Sequence, residues 1–129
     1  MKIEVLVLED TKERMRYFRM YYPALIHEET AKGCIQKLIE AEYVHELWLD
    51  HDLGGEMWVD SKREDSGMEV VRFLEQNDFT QKIKHIYVHS HNNYANLVMD
   101  TALKRVGYNS ILHPFYKLKE SFQSIIRPK

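Results

Sequence analysis

Scarcity sets the first bounds on this chain. Its 129 residues include one cysteine, Cys34, so no disulfide can form within it and a zinc site built on several thiolates is excluded. A reducing, cytoplasmic setting is therefore expected. With five glycines and three prolines there is no Gly/Ser-rich or Pro-rich tract, and no internal repeat is visible. No apolar stretch approaches the ~20 residues that span a bilayer. The opening Met1-Lys2-Ile3-Glu4 is unlike a secretory signal. An excess of one charge is also lacking: the net charge of -2 gives no strong general affinity for nucleic acid, although the basic segment Lys12 to Arg19 can steer a phosphate locally. Absent too are a P-loop, a dinucleotide-type GxGxxG and a nucleophile-elbow GxSxG, and with them three common catalytic plans.

What remains is a soluble globular composition, 44% hydrophobic and 29% charged, in a length that fits one domain over residues 1–129. The stretch that organises it is Leu47-Trp48-Leu49-Asp50-His51-Asp52-Leu53-Gly54-Gly55. Its apolar start reads as a strand buried on both faces, and the glycines permit a sharp turn that leaves Asp50, His51 and Asp52 at the strand's end. Unpaired carboxylates are costly in a core, so this edge is expected to carry chemistry.

The rest of the chain repeats the plan. Ile3 to Leu8 is a β-branched run closing on Glu9-Asp10, after which Thr11 caps a helix with Met15, Phe18 and Tyr22 at helical spacing, stopped by Pro23. Arg14, Arg16 and Arg19 read as that helix's solvated face. Ala24 to His27 is a weak strand candidate. Thr30 caps a helix whose stripe is Ala31, Cys34, Ile35, Leu38 and Ile39. Glu56 to Asp65, with Trp58, is long for a connection and reads either as a flap near the acids or as a surface insertion. Ser66 and Glu69 form a capping box ahead of Val70, Val71 and Leu74. His85 to His89 is a fourth strand, ending in His89-Ser90-His91-Asn92-Asn93. The helix that follows carries Ala95, Val98, Met99, Ala102, Leu103 and Val106, with Gly107 past its end. Ser110 to Phe115 is a short strand ending in His113-Pro114, and Leu118, Phe122, Ile125 and Ile126 face inward from a last helix. Five strands alternating with five helices predict an α/β domain with a parallel sheet covered on both faces and a site at the strands' carboxyl ends.

The order of these motifs resembles a response-regulator receiver domain over nearly the whole chain. Glu9-Asp10 is similar to the receiver's acidic pair, Asp50 to its phosphoacceptor, Ser66-Gly67-Met68-Glu69 to the start of its third helix, and Ser90 to its hydroxyl residue. His113-Pro114-Phe115 is similar to its Lys-Pro-Phe, with histidine in place of lysine. The resemblance implies a flavodoxin-like, doubly wound five-stranded sheet in the order 2-1-3-4-5 with helices on both faces. LDHDLGG together with HSHNN looks like a divergent branch, the cyclic-phosphate processing receiver domains, and implies action on a cyclic phosphate of a nucleotide or an RNA end.

For that chemistry Asp10, Asp50 and Asp52 offer hard oxygen ligands to a divalent metal, Mg²⁺ or Mn²⁺ first. Asp50, His51, His89, Ser90 and His113 are the candidate catalytic residues. Either His51 or His89 can be the general base and His113 the general acid or phosphate contact. Ser90, His91 and Asn92 are candidates to hold the phosphate at a helix N-terminus. His27, His45 and His85 read as structural. The expected partner is a phosphate-containing small molecule or an RNA end, with no membrane role. The alternative is a non-enzymatic receiver that accepts a phosphoryl group on Asp50 or binds a partner. The His51-Asp52 dipeptide is also found in HD phosphohydrolases, but those carry it on a helix.

Overall fold

Apolar runs make the centre of the sheet. In the computed structural model, whose described residues are 1–51, 66–90 and 92–113, β1 (Lys2–Leu8), β3 (Tyr43–Leu49) and β4 (Ile83–Val88) lie side by side. Leu6 pairs with Leu47 and Leu47 with Ile86, all three fully buried. Burial of each such side chain is worth about 1.5–3 kcal/mol. The short β2 (Ile26–Glu28) and β5 (Ser110–Leu112) flank them, giving a fully parallel sheet in the order β2-β1-β3-β4-β5. The expected order 2-1-3-4-5 is therefore observed.

Four helices connect these strands among the described residues: α1 (Lys12–Tyr21), α2 (Ala31–Glu40), α3 (Gly67–Gln76) and α4 (Asn93–Arg105). One core packs the stripes Ala31/Cys34/Leu38, Val70/Val71/Leu74 and Met99/Ala102/Leu103 against Leu6, Leu8, Leu47, Leu49, Ile86 and Val88. A second core, on α1, joins Met15 and Phe18 to Val5, Val7 and Trp48. No helix of the described residues is long and apolar enough to cross a membrane. The stretch Glu56–Asp65 with Trp58, expected as a flap or an insertion, and the expected last helix with Leu118, Phe122, Ile125 and Ile126 lie outside the described residues.

Several local expectations are corrected. The second strand is Ile26–Glu28, shifted from Ala24–His27, because the Leu25 N–H closes a turn onto the Tyr22 carbonyl at 3.0 Å before the chain extends. Thr30 and Asn92 cap α2 and α4 by accepting from Gly33 and Ala95 N–H, but Thr11 and Ser66 make no side-chain cap. The capping box fails because Glu69 turns to Arg72, 2.9 Å away. Ile39 leaves its stripe and is exposed, as is Val106. Gly107 stands past α4 with φ +98°, the left-handed conformation that ends many helices.

Candidate functional site

Four chain segments leave the sheet at its carboxyl edge, and they stay tied together one residue beyond the strands. The Glu9 N–H donates to the Glu28 carbonyl (3.1 Å), Asp50 to Leu8 (3.1 Å), His89 to Leu49 (3.0 Å) and His113 to Val88 (2.8 Å). This ladder, more than any side chain, sets Glu9, Asp50, His89 and His113 in one row. α3 then closes against the row from below, where the Gly67 N–H donates to the His51 carbonyl (2.8 Å). A Cβ on Gly67 would run into the Asp50 carbonyl oxygen and come within 2.8 Å of the His51 Cα, so only glycine lets the helix approach this closely.

Glu9 is the hub of the row. It is fully buried, and its Oε2 accepts the N–H groups of Asp10 and Thr11, both at 3.0 Å. Its Oε1 accepts from His89 Nε2 at 3.1 Å and from Arg14 Nη1 at 3.4 Å. Its main-chain carbonyl accepts from His27 Nε2 at 2.6 Å. Burial works against the Glu9 charge, but the His89 hydrogen bond and charge, then Arg14 and the Thr11 N–H, hold its carboxyl down at about 2.

Asp50 is the opposite case. It is equally buried, yet neither carboxylate oxygen accepts a hydrogen bond. Arg14 Nη1 stands 3.7 Å from its Oδ2, an ion-pair distance too long for a formed bond. Burial first, then Glu9 and more weakly Asp10, push the Asp50 carboxyl well above the usual carboxylate range, against the opposing pull of Arg14 and, more weakly, of the Ser90 hydroxyl. Two neighbouring acids thus have opposite characters: one saturated and ionised, one bare and reluctant to ionise.

Ligand oxygens of Glu9, Asp10 and Asp50 all fall within 4.8 Å of one another. An all-carboxylate donor set suits a hard divalent cation such as Mg²⁺ or Mn²⁺. The bare, buried oxygens of Asp50 fit that group, because a cation would satisfy what no donor of the protein does. Glu9, already accepting four donors, braces its neighbours.

The histidines divide by environment. His89 is fully buried against the edge of Phe18, ring centroids 5.2 Å apart, with Nε2 committed to Glu9 and Nδ1 without a hydrogen-bond partner. His51 is buried beside the start of α3. His113, half-buried, sits 6.0 Å from the Trp48 ring, which stacks on Tyr87 at 4.2 Å. Ser90 Oγ accepts from the Asn92 N–H (3.1 Å), and Asn92 accepts from the Ala95 N–H (3.0 Å), so both side chains help build the start of α4. Asp52 and His91 lie outside the described residues. Of the expected site, the structure thus brings Asp10, Asp50, His51, His89, Ser90, Asn92 and His113 to one edge.

Sequence reasoning missed Arg14, which it put on a solvated face, and it gave Glu9 no part in the site beyond membership of an acidic pair. The available signal was spacing: Arg14 follows Asp10 by four residues across a helix start, within reach of the acids once the chain turns at Thr11.

A sequence model of the family described as the cyclic-phosphate processing Receiver domain matches residues 5–105. Among solved structures, the chain is similar to the Mn(2+)-bound form of response regulator Rcp1, with a TM-score of 0.61 and 18% identity over 95% of this chain and 88% of that one. It is also similar to a sensor protein from Polaromonas sp. JS666, with a TM-score of 0.54 and 12% identity over 95% and 98% of the two chains. No curated protein matches it in sequence.

Proposed function

The chain belongs to the cyclic-phosphate processing receiver domains, and from that premise we propose that it is a divalent-metal-dependent phosphoesterase opening the cyclic phosphate of a nucleotide or an RNA end. The observation that carries this reading is Asp50, a buried carboxylate with two bare oxygens beside Asp10 and Glu9. A bound cation would supply Lewis-acid polarisation of a phosphoryl oxygen and favour a more acidic water. Asp10 and Asp50 would hold it, with Asp52 a further candidate and Mn²⁺, the ion of the Rcp1 structure, the first to test.

Opening the ring adds water to phosphorus, breaks one P–O bond and returns a proton to the leaving oxygen. In its neutral form His89 is suited to take the first proton: Glu9 receives its Nε2–H, which orients the ring and leaves Nδ1 as the basic atom. Phe18 and Trp48 hold that ring in place. His51 is the other candidate base. His113, across Trp48, is placed to return the proton or to touch the phosphate. The N-terminus of α4, prepared by Ser90 and Asn92, favours the anion through its amides, and His91 joins them as a candidate contact.

Turnover of 2′,3′-cyclic and 3′,5′-cyclic nucleotides and a cyclic-ended RNA, with Mg²⁺, Mn²⁺ or chelator, tests this reading. Activity that needs both metal and Asp50, and that falls in His89→Ala, is the expected result. Persistence in excess chelator would remove the metal, and silence across the panel from folded protein would remove the esterase. A second reading has its own support in the place of Asp50 at the end of the central strand beside an acid pair: a signalling receiver phosphorylated on Asp50. An acid-labile adduct formed from a small phosphodonor and Mg²⁺ would favour it.

A further inference from the structure

Arg14 reaches the acids from the first turn of α1. Its Nη1 lies 3.4 Å from Glu9 Oε1 and 3.7 Å from Asp50 Oδ2, with the side chain 16% exposed and both carboxylates fully buried. Charge-assisted N–H···O bonds usually close to about 2.7–2.9 Å. The guanidinium thus stands between two acids, donating a long hydrogen bond to Glu9 and facing Asp50 at ion-pair distance. It also competes with any cation for Asp50, whose buried oxygens accept no well-formed hydrogen bond and are otherwise eased only by the nearby Ser90 hydroxyl. Meanwhile the described strand ends carry carboxylates and imidazoles, and an imidazole carries charge only when protonated. Arg14 is a permanent positive charge within reach of that edge.

We propose that Arg14 is an exchangeable counter-charge: without a divalent cation it neutralises Asp50, and once a cation binds Asp50 it turns its planar fork to the oxygens of a phosphate ligand. This rests on the metal-dependent reading above and assigns the group that couples cation binding to phosphate binding. Repulsion between Arg14 and an incoming cation keeps metal affinity low in the absence of phosphate. A phosphate anion, by drawing the guanidinium away, raises it, and by linkage the cation raises phosphate affinity equally.

The test measures Mn²⁺ binding by the electron paramagnetic resonance of the free ion, and then inorganic phosphate binding at saturating Mn²⁺ by calorimetry. Wild type, Arg14→Gln and Arg14→Lys are compared, each shown to be folded by circular dichroism. Arg14→Gln should bind Mn²⁺ at least about fivefold more tightly, the factor equivalent to the water-screened repulsion of two unit charges ~4 Å apart. It should also bind phosphate about tenfold more weakly, as expected for the loss of a charge-assisted contact. Arg14→Lys, which keeps the charge but not the fork, should stay within about twofold of wild type for Mn²⁺ and lose phosphate affinity. Should Arg14→Gln prove unfolded, Arg14→Lys decides alone: unchanged phosphate affinity overturns the proposal. Wild type that binds Mn²⁺ with Arg14→Gln no tighter, or with phosphate binding unchanged, overturns it and leaves the metal site standing. No Mn²⁺ binding by any of the three proteins removes the metal reading and this proposal together.

Discussion

Replacing Asp50 by asparagine should make the metal-free protein more stable. The native carboxylate is fully buried, accepts no hydrogen bond, and shares a 4.8 Å neighbourhood with oxygens of Glu9 and Asp10. At an effective dielectric of ~20, each of the two carboxylates at that spacing repels Asp50 by about 3.5 kcal/mol, while Arg14 at 3.7 Å attracts it by about 4.5 kcal/mol. The attraction does not offset the repulsion, so the desolvation cost of a buried ion, several kcal/mol, is left uncompensated. The sign follows from the raised carboxyl. A group whose folded pKa lies above its ordinary value of 3.8 contributes stability below that value and loses it as pH rises through the folded pKa. At neutral pH a buried Asp50 is thus a net cost, whether it gives up its proton or keeps it. Asparagine keeps the burial of a polar group but sheds the charge, so the gain at pH 7 is about 1–2 kcal/mol, or about 4–8 °C in melting temperature for a domain of this size. The advantage should shrink as pH falls through 3.8 and vanish below about pH 3, where the aspartic acid is protonated whether folded or not. Thermal melts in chelator across this pH range measure it, and saturating Mn²⁺ should invert the ranking, since only wild type gains from ligand binding. An Asp50→Asn protein that melts below wild type at pH 7 in chelator would refute the view that this charge is uncompensated.

Because Asp50 resists ionisation, Mn²⁺ binding should release a proton and weaken as pH falls, beginning well above the ordinary carboxylate range; calorimetry in buffers of differing ionisation enthalpy reads the proton count, and a count of zero contradicts the raised carboxyl. Gly67→Ala pushes a methyl group into the backbone of Asp50 and His51, so urea unfolding should show a loss of about 3 kcal/mol; a variant as stable as wild type would mean that α3 is free to retreat. Cys34 is fully buried, and burial raises its thiol, so Ellman's reagent at pH 8 should label it only at the rate of unfolding; rapid labelling of native protein would contradict its place in the core.

The residues that announce the sheet also hide part of the site. Hydrophobic runs ending in acids or histidines are enough to put Asp50, His89 and His113 at one edge, because strand ends in a parallel sheet share a side. The lateral hydrogen bonds that hold them in a row are backbone contacts and leave no mark in side-chain pattern. Arg14 was invisible for a related reason: helical periodicity sorts residues by face, and an arginine between lysine, glutamate and further arginines reads as solvent-facing. Only the turn at Asp10-Thr11, which folds the start of α1 back over the end of β1, brings it to Glu9 and Asp50. His27 shows the converse. It reads as structural, and its bond to the Glu9 carbonyl is that of a brace, delivered by the pairing of β2 with β1. Caps failed at Thr11 and Ser66, where a residue of the right type found other contacts.

Trp48 turns the same architecture into an optical instrument. Its indole is stacked on Tyr87, bonded to Glu46 through Nε1 at 3.2 Å, and flanked by His89 and His113 with ring centroids 6.1 and 6.0 Å away. An excited indole is quenched by a neighbouring imidazolium, so its emission reports the protonation of two site histidines from inside the fold. The sequence holds one other tryptophan, Trp58, and Trp58→Phe would leave Trp48 as the sole emitter. The proton movements assigned to these imidazoles can then be watched as light, in unlabelled protein and on the timescale of mixing.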